Sequence, residues 1–113
     1  MAKVEIVKSL YIEILKRFKK ESVTVLQHMK SLEGSPKKGK VLGAVGNVLI
    51  KELKYKGFRF YFLTDGFKLK FMDKEGLVEL LIRFVRMSDK KHQKETIEDI
   101  RHVLLTIGPR GFE

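Results

Sequence analysis

At 113 residues, with 43% apolar and 10% aromatic residues, the chain fits one domain, 1–113, and is too hydrophobic to be disordered despite 34% charged residues. The absence of cysteine excludes disulfides, thiolate catalysis and cysteine-ligated metal sites, and His28, His92 and His102 are too scattered for a zinc cluster, so neither metal nor cofactor is expected. A net charge of +10 points to an acidic partner, most simply a nucleic acid. In chain order, Val4 to Val7 suits a short strand, and Ser9 is placed to cap a helix with Leu10, Ile14, Leu15 and Phe18 on one stripe. Ser22 is placed to cap a second helix, with Val25, Leu26, Met29 and Leu32 on its stripe and Gly34 and Pro36 as its stop. A linker-like stretch, Glu33 to Lys40, follows.

From Val48 the apolar period changes to two, which predicts strands over Val48–Tyr55, Phe58–Leu63, Phe67–Met72 and Leu77–Arg86, joined by short Gly- or Asp-bearing turns. A helix follows from about Glu95 to Ile107, stopped by Gly108-Pro109. The fold class expected is α+β: an N-terminal strand and a helical hairpin packed on an antiparallel meander sheet of four to five strands, with a C-terminal helix. No apolar run is long enough for a signal peptide or a membrane span, so a soluble, cytoplasmic protein without a membrane partner is expected.

The charge is local. Lys37, Lys38, Lys40, Lys51, Lys54, Lys56 and Arg59 face the single acid Glu52 between Ser35 and Phe60, whereas basic and acidic residues nearly balance after residue 76. Alternation along 58–63 assigns Phe58, Phe60 and Phe62 to one face, under the helices, and Arg59, Tyr61 and Leu63 to the other. Arg83 falls with Leu81 and Val85 on the side opposite Ile82 and Phe84. An open face bearing Arg59, Tyr61 and Arg83 beside a lysine run has the parts to hold RNA, cations for phosphate and a ring for a base. The plain alternative is a wet sheet face on which Arg59 and Arg83 pair with Glu52 and Glu79.

Two stretches carry a resemblance to a known family. VLIKELKYKGFRFYF, with Gly57-Phe58-Arg59 at its turn, and RFVRMSDKKHQKETIEDI, residues 83–100, resemble the RelE/ParE toxin superfamily, nearest its HigB-like, phage-associated branch. The likeness runs from about Val4 to Ile107. It implies a RelE-like fold and a toxin held by an antitoxin protein, acting as a metal-independent endonuclease on mRNA at translating ribosomes. The alternatives it leaves are a ParE-like inhibitor of DNA gyrase and a catalytically degenerate nucleic-acid-binding module. Carried onto this chain, the resemblance makes Arg59, Lys54 and Arg86 the catalytic cations, with His92 as a proton-transfer group in place of a loop tyrosine. Lys51, Lys56, Tyr61, Arg83, Lys90 and Lys91 are the expected contacts to RNA phosphate and base. The chain departs from the pattern at Glu52, where several RNA-cutting members carry lysine, and at Met87, where another arginine would help.

Overall fold

The computed structural model describes residues 2–72 and 80–112. In chain order its elements are β1 (Lys3–Ile6), α1 (Lys8–Phe18), α2 (Ser22–Lys30), β2 (Lys40–Val45), β3 (Val48–Tyr55), β4 (Phe58–Asp65), α3 (Gly66–Phe71), β5 (Leu81–Asp89) and α4 (Gln93–Thr106). One five-stranded sheet runs β1-β5-β4-β3-β2; β1 joins β5 in parallel and every other neighbouring pair is antiparallel. The α+β architecture is the expected one, with the helical hairpin on one face of the sheet. Among the described residues, no helix is long and apolar enough to cross a membrane.

Two strands differ from expectation. Phe67–Met72 is not a strand, because Asp65 accepts hydrogen bonds from the Phe67 and Lys68 amides, at 2.9 and 3.1 Å, and starts α3. Six residues with apolar side chains at 67, 69 and 71 satisfy strand alternation, but 67 and 71 are also helical neighbours, and their rings stack at 5.0 Å. In its place the sheet recruits β2, out of the stretch just after the expected linker. Gly46-Asn47 turns β2 into β3, with Gly46 at φ +60. Of the last expected strand, Leu81–Arg86 is present and continues to Asp89, while its start at 77–79 and the turn at 73–76 lie outside the described residues.

The serines expected as caps do other work. α1 starts at Lys8 without a side-chain cap, which puts Ser9 inside the helix, and the Ser22 hydroxyl donates to the Ile14 carbonyl at 3.2 Å, fastening α2 to α1. Beneath this hairpin lie Leu10, Ile14, Val25, Met29, Leu32, Phe60, Phe62, Ile82 and Phe84, all essentially sealed. Leu15, expected in the stripe, is exposed instead. Phe18 closes the open end of this core, edge-on to Phe58 at 5.0 Å.

Lys51 lies on the same face as Phe62, its partner across β3 and β4, and is 1% exposed. Its ammonium donates to the Lys37 carbonyl at 3.1 Å and lies 5.6 Å from the Phe62 ring centroid. Burial pulls its pKa below the ordinary lysine value. Between the lowered folded value and the ordinary one the unfolded chain binds more protons, so stability rises with pH across that window. Among the described residues no carboxylate pairs with it, and a buried charge held in that way costs stability at neutral pH; Lys51→Met is expected to raise Tm by roughly 4–8 °C in a thermal melt, for about 1 kcal/mol, and to abolish that pH-dependent rise.

Candidate nucleic-acid interface

On the opposite face of the sheet, the residues paired across strands form three ranks. Lys54, Arg59 and Ser88 make the outermost; Lys40, Glu52, Tyr61 and Arg86 the next; Gly43, Ile50, Leu63 and Arg83 the innermost. Arg83 and Arg86 share this face only because β5 shifts register opposite Tyr61 and Phe62, with Val85 as the unpaired residue. Simple parity would have sent them to opposite sides.

This face is not open. Helix α4 lies across its middle, burying Ile100 and Leu104, and the Arg101 guanidinium occupies the space above Gly43, where any Cβ would collide with it. Arg86 is drawn into this cover. Its Nε pairs with Asp99 of α4 at 3.2 Å, its Nη1 donates to the Val85 carbonyl at 2.9 Å, and its guanidinium sits 4.8 Å from the ring centroid of the sealed Phe112. Arg83 donates to the carbonyls of Pro109 at 3.0 Å and Phe112 at 3.4 Å, and its Nε lies 3.1 Å from Glu5. Both arginines therefore fasten the C-terminal segment to the sheet. Tyr61, expected to stack on a base, is 0% exposed; its hydroxyl is 2.7 Å from Ser88 Oγ, and burial pushes its pKa up.

The outermost rank is different. Lys54 is exposed and stands directly opposite Arg59, a juxtaposition of like charges that destabilises a bare sheet. Neither has a carboxylate within 4.0 Å among the described residues. Arg59 is 9% exposed; Nη1 makes one long bond to the Gly57 carbonyl at 3.5 Å, and Nε is buried with no partner among the described residues. Two cations on paired positions have the chemistry to hold an anion.

The start of α4 borders the same end of the sheet, since Asp89 follows Ser88. Asp89 Oδ1 accepts from the His92 amide at 2.9 Å and lies 2.8 Å from His92 Nδ1. The His92 side chain's hydrogen bond is the main cause holding the Asp89 carboxyl below its ordinary value. His92, Lys90 and Lys91 are exposed at this helix start.

The remaining expected contacts divide. Lys56 is exposed but tied to the hairpin, 2.8 Å from a Glu21 carboxylate oxygen that also accepts from the Tyr55 hydroxyl, and Lys51 is sealed on the other face. The residues that sequence reasoning missed sit beside Lys54. A cavity of about 340 Å³ is lined by His28, Lys38, Gly39, Lys40, Glu52, Leu53 and Lys54. Lys40 reaches it because β2 places it opposite Glu52, and the Gly46-Asn47 turn signal was the clue to that strand. Comparison with family models, curated proteins and solved structures returns no match.

Proposed function

We propose that this chain is a toxin of the RelE/ParE kind that cuts mRNA on translating ribosomes in the cytoplasm and is held inactive by an antitoxin. The observation that carries the RNA reading is the Lys54–Arg59 couple at the basic end of the sheet, which has no carboxylate partner among the described residues. A scissile phosphate seated between them relieves their mutual repulsion. As the neighbouring ribose 2′-OH attacks phosphorus, negative charge builds on the phosphoryl oxygens, and the fixed guanidinium of Arg59 stabilises it without having to reorganise; the bond from phosphorus to the 5′-oxygen breaks, and that oxygen leaves, protonated from water, as the 5′-hydroxyl of the downstream fragment. Asp89 orients His92 through Nδ1–H, which leaves Nε2 to take the proton of the 2′-OH. Lys90 and Lys91, at the start of α4, and Lys40, beside the cavity, guide the flanking phosphates.

The purified chain added to a translation extract, with primer extension along the message, tests this. Cuts within the translated region are expected, and a message intact at every codon refutes the nuclease. A second reading, binding without cleavage, is favoured by the engagement of Arg83 and Arg86 with the C-terminal segment and the burial of Tyr61. It predicts salt-dependent RNA binding with an intact message, or, for a gyrase inhibitor, loss of DNA supercoiling activity.

A further inference from the structure

The end of β3 and β4 opposite the Lys54–Arg59 pair, where Val48 stands across from Asp65, holds a second cavity, of about 410 Å³. Val48, which lines it, is roughly 20 Å along the extended strand from Lys54. The C-terminal segment supplies one wall. Gly108, at φ +101, turns the chain back after α4, and Arg83 holds the carbonyl of Pro109 at 3.0 Å. At the turn end of the sheet, the Gly66 amide donates to the Asn47 carbonyl at 2.7 Å and ties β4 to the start of β3. Between these fixed points Val48, Leu63, Leu81 and Pro109 give the cavity an aliphatic lining.

Lys68, Arg83 and Arg110 line the same cavity against a single carboxylate, Asp65. Arg83 is engaged with Glu5 and two carbonyls, and Asp65 Oδ1 with the amides that start α3. Lys68 and Arg110 have no carboxylate within 4.0 Å among the described residues, and Arg110 is exposed. The lining therefore suits a ligand that joins an anionic head to an apolar body. A cation is repelled by three basic side chains, a plain anion leaves the aliphatic surface wet, and a purely apolar molecule leaves two cations unmatched. A nucleotide fits less well, because no aromatic ring lines the cavity for a base to stack on. Apolar walls with a few polar groups, at this volume, are the usual make-up of a small-molecule site.

We infer that this cavity binds a small amphiphilic anion, an aliphatic chain with a carboxylate head, the chain lying on Val48, Leu63, Leu81 and Pro109 and the head meeting Lys68 and Arg110. The RNA reading concerns the other end of the sheet, so the two stand or fall separately. The test is a ¹H–¹⁵N NMR titration of the full chain with octanoate, octylammonium and acetate. Octanoate is expected to shift the amides of Val48, Leu63, Leu81 and Arg110 saturably and to bind roughly tenfold or more tighter than octylammonium. Acetate, which lacks the chain, should leave those amides unmoved at the same concentration. Lys68→Gln with Arg110→Gln is expected to erase the preference for octanoate. Lys16→Gln with Lys20→Gln, which removes the same charge from exposed positions elsewhere, should retain it. Leu81→Trp, at a 43% exposed position, should fill the cavity and block octanoate with the rest of the spectrum unchanged. Octylammonium binding as tightly, acetate shifting the same amides, or octanoate shifts that gather at the exposed Tyr11 and Ile12 instead would each overturn the assignment. So would the lack of saturable binding at millimolar octanoate, or a preference that survives Lys68→Gln with Arg110→Gln.

Discussion

Replacing Arg59 by methionine is expected to slow message cleavage by about 10²–10³-fold while leaving Tm unchanged or higher. The two halves of this expectation come from the same geometry. Arg59 is 9% exposed, has one long bond at 3.5 Å and no carboxylate within ion-pair distance among the described residues, so the fold gains little from its charge. Removing it also ends the repulsion with Lys54 across the strands. A side chain that the fold does not need, fixed beside a second cation, is kept for something outside the fold. A thermal melt and a single-turnover cleavage assay on the same preparations check both halves. If Arg59→Met lost stability and kept its rate, the side chain would be structural. Lys54→Ala, at an exposed position, should cost less in rate and lower the salt dependence of RNA binding by about one phosphate contact.

Phe62→Ala should be the most damaging single change among the core residues discussed, costing about 3–5 kcal/mol of a domain stability that is itself about 5–15 kcal/mol. Phe62 is sealed, its ring lies 4.9 Å from that of Phe84, and it carries the buried ammonium of Lys51 at 5.6 Å. It also supports the basic loop. Gly39 sits at φ +104 with so little room that an added Cβ would be 2.8 Å from the tip of the Phe62 ring. Truncating the ring therefore opens the core and removes the floor beneath Gly39, between Lys38 and Lys40. Equilibrium unfolding in guanidinium measures the first effect. The second should appear as weaker RNA binding at temperatures where the variant is still folded. Phe58→Ala, at a partly buried position, is the control and should cost less.

The contrast between these two positions also marks what could be read from the chain alone. Alternation in FRFYF was enough to separate Phe58, Phe60 and Phe62 from Arg59 and Tyr61, because a period of two leaves only two faces. Alternation is silent about what lies over the second face. The apolar stripe of α4, with Ile100 and Leu104, needed a surface to bury, and that surface is the one expected to be open. The register shift at Val85 was equally invisible, because it breaks the parity on which the reading relied; it is what brings Arg86 beside Arg83. α3 was hidden by a six-residue segment that fits two periods, and its Asp65 cap was taken for part of a turn. β2 was hidden by Gly43, which weakens a strand pattern but here makes room for Arg101. Its absence from the sequence reading also concealed the cavity, since Lys40 meets Glu52 only when β2 pairs with β3. Glu52 thus looked like a flaw in an RNA-cutting signature, whereas the structure buries it against Gln93 of α4.

The most direct measurement is the chemistry of the cut end. With a labelled message in a translation extract, the upstream fragment is isolated and its 3′ terminus identified by mass. Attack by the 2′-OH, stabilised by Arg59 and assisted by His92, predicts a 2′,3′-cyclic phosphate or the 3′-phosphate formed when it opens. Uncut message, or a fragment ending in a free 3′-hydroxyl, contradicts it.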